Sequence, residues 1–219
     1  WHRVVRPVPS PTFFHVTSSL ATEFSTIAGQ GATPYEQLMT RPHFTLTVAT
    51  SADALISPSI DTSTADWASA EEQALFFADI AAADWCIMGR HTHLAADKPD
   101  RHRIIFSTTQ SGRRRPTQLW LDPAQLSPEE LAQQVQAVRP LTKGLILGGM
   151  AVHDWFLAAG AIDRVNLTVE PVHFGAGVPV FEGQAEHDPL EVFAKRGFRL
   201  AAERALIAAG TRYFELVPV

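Results

Sequence analysis

The chain has 219 residues, 46% of them hydrophobic and 19% charged, with a formal net charge of -5. That composition excludes a disordered chain and a whole-molecule positive field for nucleic acid or anionic lipid; no apolar run approaches the roughly 20 residues that span a bilayer. The single cysteine, Cys86, excludes an intrachain disulfide and a thiolate zinc site, so the expectation is a soluble cytoplasmic protein with no nucleic-acid or membrane partner.

Residues 1–40 read as an N-terminal arm. They carry Pro7, Pro9, Pro11 and Pro34 among Ser and Thr, lack the apolar core of a secretory signal, and admit one short helix near 17–28. Residues 41–219 read as one domain. His43–Ala49 is a β-rich run. Asp66–Ala83 has helical spacing, with Ala70, Ala74, Phe77, Ala78 and Ala81 on one face and Glu71, Glu72 and Asp79 as its polar residues. Trp85–Met88 is a short buried strand, closed by Gly89 and followed by a helix over Arg90–Ala96. Arg103–Ser107 and Gln118–Leu121 are further strands. Ser127, Pro128 and Glu130 form the start signature of a helix running to Val138. Leu145–Leu147 is a strand that ends at Gly148 and Gly149. A helix over Ala151–Ala159 is closed by Gly160. Arg164–Val169 is a strand, and Phe198–Glu203 with Arg212–Val217 is an antiparallel pair. Strands alternating with helices and ending in a hairpin predict an α/β fold, with a mostly parallel sheet and an antiparallel edge. Ligands of such sheets bind at the carboxyl ends of the strands.

Two of those strand ends share one design. After Met88 and again after Leu147, a buried strand meets glycine and a helix begins at once. The free N–H groups of a first helical turn favour an anion, and Arg90 adds a fork of donors suited to phosphate. A third strand end offers Ser107, Thr108 and Thr109, with Arg113, Arg114 and Arg115 beyond; the arginine run reads as a solvated turn. His91, His93 and His102 with Asp97 could build a zinc site, the basis of a metal-dependent hydrolase reading. However, His91 and His93 are two apart, about 200° on a helix, whereas two-histidine helical sites use a spacing of four. No G-x-G-x-x-G, G-x-S-x-G or P-loop is present.

The stretch MGRHTHLAADKPDRHRIIFSTTQ resembles the cofactor-binding stretch of bacterial dihydrofolate reductases, and LILGGMAVHDWFLAAGAIDRVNLTV resembles their second cofactor stretch. RPHFTLTVATSADALIS and PVHFGAGVPVF are similar to the reductase domain of riboflavin-biosynthesis deaminase/reductases. The resemblance covers roughly residues 41–219. It implies a dihydrofolate-reductase-like sheet with helices on both faces, a homodimer, and an NADPH-dependent reductase. The reaction implied is hydride transfer to a C=N or C=O group of a dihydropterin-like or ribosylaminouracil-like ring. Carried over by position, Gly89, Arg90, His91 and Thr92 hold cofactor phosphates, with Arg90 on the 2′-phosphate. Ser107 and Thr108 lie against the adenosine ribose phosphate, and Gly148, Gly149, Met150 and Ala151 receive the pyrophosphate.

The substrate half departs from both families. Counting back from Met88, the helix acid of dihydrofolate reductases falls on Gln73, beside Glu71 and Glu72. The S-x-D-G turn of the riboflavin-type domain appears as Ser51-Ala52-Asp53-Ala54, with alanine in place of glycine. That family's basic helix is here the acidic EEQALFFADIAAAD, without the Arg and His that meet a ribose phosphate. The implied cleft lies between the 50–56 loop, the 66–83 helix and the 170–179 loop. Its substrate contacts are Thr50, Ser51, Asp53, Phe76 and Glu170, and its catalytic candidates are Asp53 and Glu72. No metal is expected. The alternative from another class is a non-catalytic NADP-binding module.

Overall fold

The computed structural model describes residues 41–206 and 210–219. The predicted arm and its helix near 17–28 lie outside the described residues. The central sheet is built from β1 (His43–Thr50), β3 (Trp85–Gly89), β4 (Arg103–Phe106), β5 (Gly112–Arg115), β6 (Gln118–Leu121), β7 (Lys143–Gly148), β8 (Arg164–Val169), β10 (Phe198–Ala205) and β11 (Arg212–Pro218). Their order is β10-β11-β8-β1-β7-β3-β4-β6-β5. The six strands from β8 to β6 run parallel. Antiparallel strands flank them on both sides, β11 and β10 at one edge and β5 at the other. A separate two-stranded piece pairs β2 (Leu55–Ser57) with β9 (Val178–Pro179).

Period-two alternation divides the sheet's two faces. Phe44, Leu46, Trp85, Ile87, Ile104, Ile146 and Val165 point to one side and form the main core. The helices α3 (Pro128–Val135), α4 (Met150–Ala158) and α5 (Pro189–Ala194) bring Leu131, Val135, Val152, Phe156, Val192 and Phe193 to it. Ser127 caps α3 by accepting from the Glu130 N–H, and Glu130 returns the bond to the Ser127 N–H, the expected capping box. The opposite face is covered by α1 (Ala70–Ala82) and α2 (Arg90–Ala95), and its apolar cluster is small: Cys86, Met88 and Leu145 under Ile80 and Ala83.

α1 is turned the other way from its predicted apolar face. Ala70, Ala74, Ala78 and Ala81 are exposed, and Phe77 is 53% exposed. Its single buried residue is Glu72. Hydrogen bonds seat this helix: the Asp79 carboxylate accepts from Thr47 Oγ1 at 2.7 Å and from Asn166 Nδ2 at 2.8 Å. Those two bonds need the acid face inward, which a hydrophobicity pattern cannot anticipate. The Arg113–Arg115 run is the exposed edge strand β5 rather than a turn. Among the described residues no helix is long and apolar enough to cross a membrane.

Candidate active site

Three neighbouring strands, β7, β3 and β4, end side by side: Met88 pairs with Gly148 and Gly89 with Phe106. Gly89 is the N-cap of α2 and Gly149 the N-cap of α4, and neither helix start receives a side-chain capping bond. A helix leaves its first N–H groups without intrahelical partners, so these two turns present donors that no side chain among the described residues caps. They abut. A Cβ on Gly89 would lie 3.6 Å from Val152 Cγ2 and 4.0 Å from the Gly149 nitrogen, and one on Gly149 would lie 3.9 Å from Thr92 Oγ1. Gly148 has φ +91° and its peptide with Gly149 is cis. Arg90, the first residue of α2, is half-buried, and His91 is exposed. At the third tip Ser107 is buried, its Oγ accepting from the Thr109 N–H at 3.4 Å, while Thr108 is exposed. Met150 and Ala151 open α4, so the cofactor residues expected from sequence occupy three adjacent tips.

Two buried histidines brace the cradle from below. His93, on the underside of α2, accepts from Arg103 Nη1 at 3.1 Å and meets Trp120 edge-on. Burial pushes its pKa below the ordinary value, against the pull of Asp97. It is a neutral packing residue facing a cation. His102 packs on Trp85 instead, and no cluster of three or more His, Cys, Asp or Glu able to hold a metal ion exists among the described residues. His153 was not anticipated. Its Nδ1 lies 2.9 Å from the Val180 carbonyl oxygen, which can only accept, so Nδ1 carries the proton. Burial pushes this imidazole down to about 4. A Cβ on Gly148 would fall 2.6 Å from His153 Nε2, so this histidine and the positive φ both demand glycine there. A buried polar residue in an apolar helix is the one sequence signal that could have flagged it.

The residues expected to meet substrate use their amides differently. Asp53 Oδ1 accepts from the Phe174 N–H at 3.1 Å and Oδ2 from the Gly175 N–H at 2.7 Å. Burial raises the Asp53 pKa, but the bonds from Ser51, Gly175 and Phe174 outweigh it and the net direction is down. Asp53 therefore clamps the 171–177 loop onto the turn after β1. Ser51 is fully buried and its hydroxyl accepts from the Leu55 N–H within that turn. Ala54 keeps the left-handed conformation, φ +64°, although it is not glycine. Thr50 is fully buried, and its hydroxyl has no hydrogen-bond partner among the described residues.

At the head of α1, Ser69 Oγ accepts from the Glu72 N–H, and the Ser69 N–H donates to Glu170 Oε1 at 2.7 Å. Glu170 Oε2 accepts from Thr211 Oγ1 at 2.7 Å. Glu72 is 4% exposed, and its carboxyl accepts no hydrogen bond from the described residues. Burial, then the charges of Glu170 and Asp79, raise its pKa to about 7. The neighbouring Gln73 gives its amide to the Ala68 carbonyl, so the inward acid lies one residue from the place found by counting. Phe76 is half-buried on the same helix, against Phe77. Trp67 and Phe174, missed in the sequence, meet edge-on at 5.2 Å and join the head of α1 to the clamped loop.

The family model described as the RibD C-terminal domain matches residues 42–195. No curated protein matches the chain. Among solved structures it is similar to a putative riboflavin biosynthesis protein from Shewanella sp. PV-4, with TM-score 0.61 and 16% identity over 81% of this chain and 99% of that one. It is similar also to a diaminohydroxyphosphoribosylaminopyrimidine deaminase/5-amino-6-(5-phosphoribosylamino)uracil reductase from Thermotoga maritima. There the TM-score is 0.59 and the identity 16%, over 82% of this chain and 57% of that one. Dihydrofolate reductase from Enterococcus faecalis, complexed with NADP(H), gives 0.54 and 14% over 81% and 97%. With the family model covering most of its length, the chain belongs to the RibD C-terminal domain family, and its fold is the dihydrofolate-reductase-like one.

Proposed function

We propose that this chain is an NADPH-dependent reductase of a pteridine- or pyrimidine-type heterocycle. Family membership supports an oxidoreductase. The observation that carries the cofactor reading is the abutting pair of glycine-capped, otherwise uncapped helix starts at Gly89 and Gly149. Their donors suit a pyrophosphate, and a Cβ on either glycine would protrude into the space between them. Gly89, Arg90, His91, Thr92, Gly148, Gly149, Met150 and Ala151 would hold the phosphates, with Arg90 on the 2′-phosphate. Ser107 and Thr108 would hold the ribose end.

When bound, NADPH supplies hydride to the carbon of a C=N or C=O bond, and the nitrogen or oxygen of that bond takes one proton from the protein. Glu72 is suited to that proton. It is buried, it has no donor among the described residues to stabilise its anion, and at about 7 it is poised to give up a proton near neutral pH. Glu170 and Asp53 act as positioning residues: Glu170 fixes the head of α1, and Asp53 fixes the facing loop. The inward acid on α1 also weighs against the reading as a non-catalytic NADP-binding module.

Calorimetric titration with NADPH, followed by NADPH oxidation with dihydropterins, dihydrofolate and ribosylaminouracil compounds, tests this reading. A flat titration overturns it. Tight binding with no turnover on any such ring supports the binding-module alternative.

A further inference from the structure

We propose that the substrate carries no phosphate: it is a neutral or cationic nitrogen heterocycle, recognised by a half-site that repels anions. This rests on the reductase reading of the same cleft.

The charge along the chain comes first. Residues 44–89, which supply β1 beyond its first residue His43, the turn after it, the head of α1 and α1 itself, contain seven Asp or Glu and not one Lys, Arg or His. The facing segment, 165–181, adds Glu170 and one exposed histidine, His173. Phosphate recognition draws on guanidinium or ammonium groups, or on unsatisfied amides. The first are missing from these segments. Arg164 and Arg212, on the adjoining strands, are already paired with Glu215 and Glu203.

The second observation concerns the amides. The head of a 13-residue helix and a glycine loop are natural anion sites, and amides at both already have acceptors within the chain. Glu170 takes the Ser69 N–H at the head of α1, and Ser69 Oγ takes the Glu72 N–H. Asp53 takes the N–H groups of Phe174 and Gly175. A phosphate would have to displace Asp53 from the loop or the Ser69 hydroxyl from the helix head, and would then face Glu170 and Glu72.

The third is Glu72 itself. A residue that is 4% exposed and whose carboxyl has no donor among the described residues is a costly arrangement for the empty fold. An N–H or a cationic ring nitrogen brought by the substrate satisfies it. A dianion cannot.

The test uses the full chain and matched pairs that differ in anionic charge. One pair is 5-amino-6-(5-phosphoribosylamino)uracil and its dephosphorylated ribosylamino counterpart; the other is dihydrofolate and a dihydropterin without the glutamate tail. The measurements are kcat/KM from NADPH oxidation and binding to the NADP-loaded protein by calorimetry. The less anionic member is expected to be favoured at least about tenfold in each pair, with the ratio shrinking as salt rises. If the phosphorylated member is equal or better while NADPH binds, the inference fails and the reductase reading stands. If NADPH itself does not bind, the reductase reading fails. If NADPH binds but neither pair does, the proposal falls for both ring types.

Discussion

The two halves of the proposed cleft, one for cofactor and one for substrate, treat backbone N–H groups in opposite ways. In the cofactor half, α2 and α4 begin at glycines that offer no capping side chain, and residues 90–115 carry seven Lys or Arg against two Asp. In the substrate half, α1 is capped by Ser69 and Glu170, the opposing loop is capped by Asp53, and cations are absent from residues 44–89. Capping stabilises a helix and removes an anion site in the same step. On the proposed reading, a helix start left bare is where a ligand completes the fold, and one capped from within is where anions are refused.

The sharpest way to break that contrast is to transplant one half's solution into the other. Gly89→Asp puts a carboxylate at the head of α2. The backbone there, φ -76° and ψ 161°, accepts a side chain, and its Cβ meets only ordinary contacts. NADPH affinity is expected to fall at least about a hundredfold, while thermal stability holds or rises by about 1 kcal/mol from the new cap. Unchanged NADPH binding would show that the Gly89 turn receives no phosphate.

Glu72→Gln comes next and tests the opposite half. Loss of the proton source is expected to cost about a hundredfold in kcat with little change in NADPH affinity. The rate of the parent should fall as pH rises through about 7, and the variant should lose that dependence. The substitution that lowers the rate raises stability at alkaline pH. The folded chain keeps the Glu72 proton up to about 7, against an ordinary value of 4.5. The stabilisation is therefore complete below about pH 4.5 and is lost as pH rises through 7, by on the order of 3 kcal/mol. Glu72→Gln should therefore unfold later than the parent at pH 8. A variant that is less stable at that pH would show a carboxylate with a partner.

Arg90→Ala refines the cofactor side. A charge-assisted contact at a partly exposed site is worth about 2 kcal/mol, so NADPH should weaken roughly thirtyfold and NADH hardly at all. Equal losses for both cofactors would remove Arg90 from the 2′-phosphate.

The same contrast explains what the sequence made legible. The strand-glycine-helix tips are local: a buried run, a glycine and a helix start are contiguous in Trp85–Ala95 and Lys143–Ala158, and reading along the chain found them. The substrate half is assembled from bonds across long separations, Asp53 to Gly175 and Ser69 to Glu170, which no local pattern contains. α1 shows the failure most clearly. Its apolar periodicity is real, yet Asp79 binds Thr47 and Asn166 and so turns the alanine face to solvent. The short pieces β2, β9 and α5 escaped for a related reason: two or three strand residues carry too little periodicity, and α5 announces itself only by Asp188 and Pro189.

Asp53→Asn probes the clamp rather than the chemistry. The amide cannot accept at both positions, so one of the Phe174 and Gly175 N–H groups loses its partner. The expected cost is about 1 kcal/mol in stability, discounted for the partial exposure of Asp53. KM for the heterocycle should rise, with NADPH affinity unchanged. For the parent, the contribution of Asp53 is present above its ordinary value of 3.8 and is lost as pH falls below it, because the carboxylate must be ionised to hold the loop. A fall in kcat with KM constant would instead return Asp53 to direct catalysis.

Ala54→Gly carries the smallest expected effect and tests the most local feature of the substrate half. The left-handed conformation at φ +64° costs an L-residue about 1–2 kcal/mol, which glycine would relieve. Two terms oppose the relief. Ala54 is fully buried in the main core, and deleting its methyl removes about 0.8 kcal/mol of burial. Glycine also adds about 0.5–1 kcal/mol of unfolded-chain freedom. The turn itself survives, because the Ala54 N–H donates to the Ser51 carbonyl and Gln184 Nε2 donates to the Ala54 carbonyl whichever residue stands there. The sum is near zero, so urea unfolding should place the variant within about 0.5 kcal/mol of the parent. A gain well above 1 kcal/mol would mean that the methyl packs against nothing, and that the alanine is retained at the cost of strain.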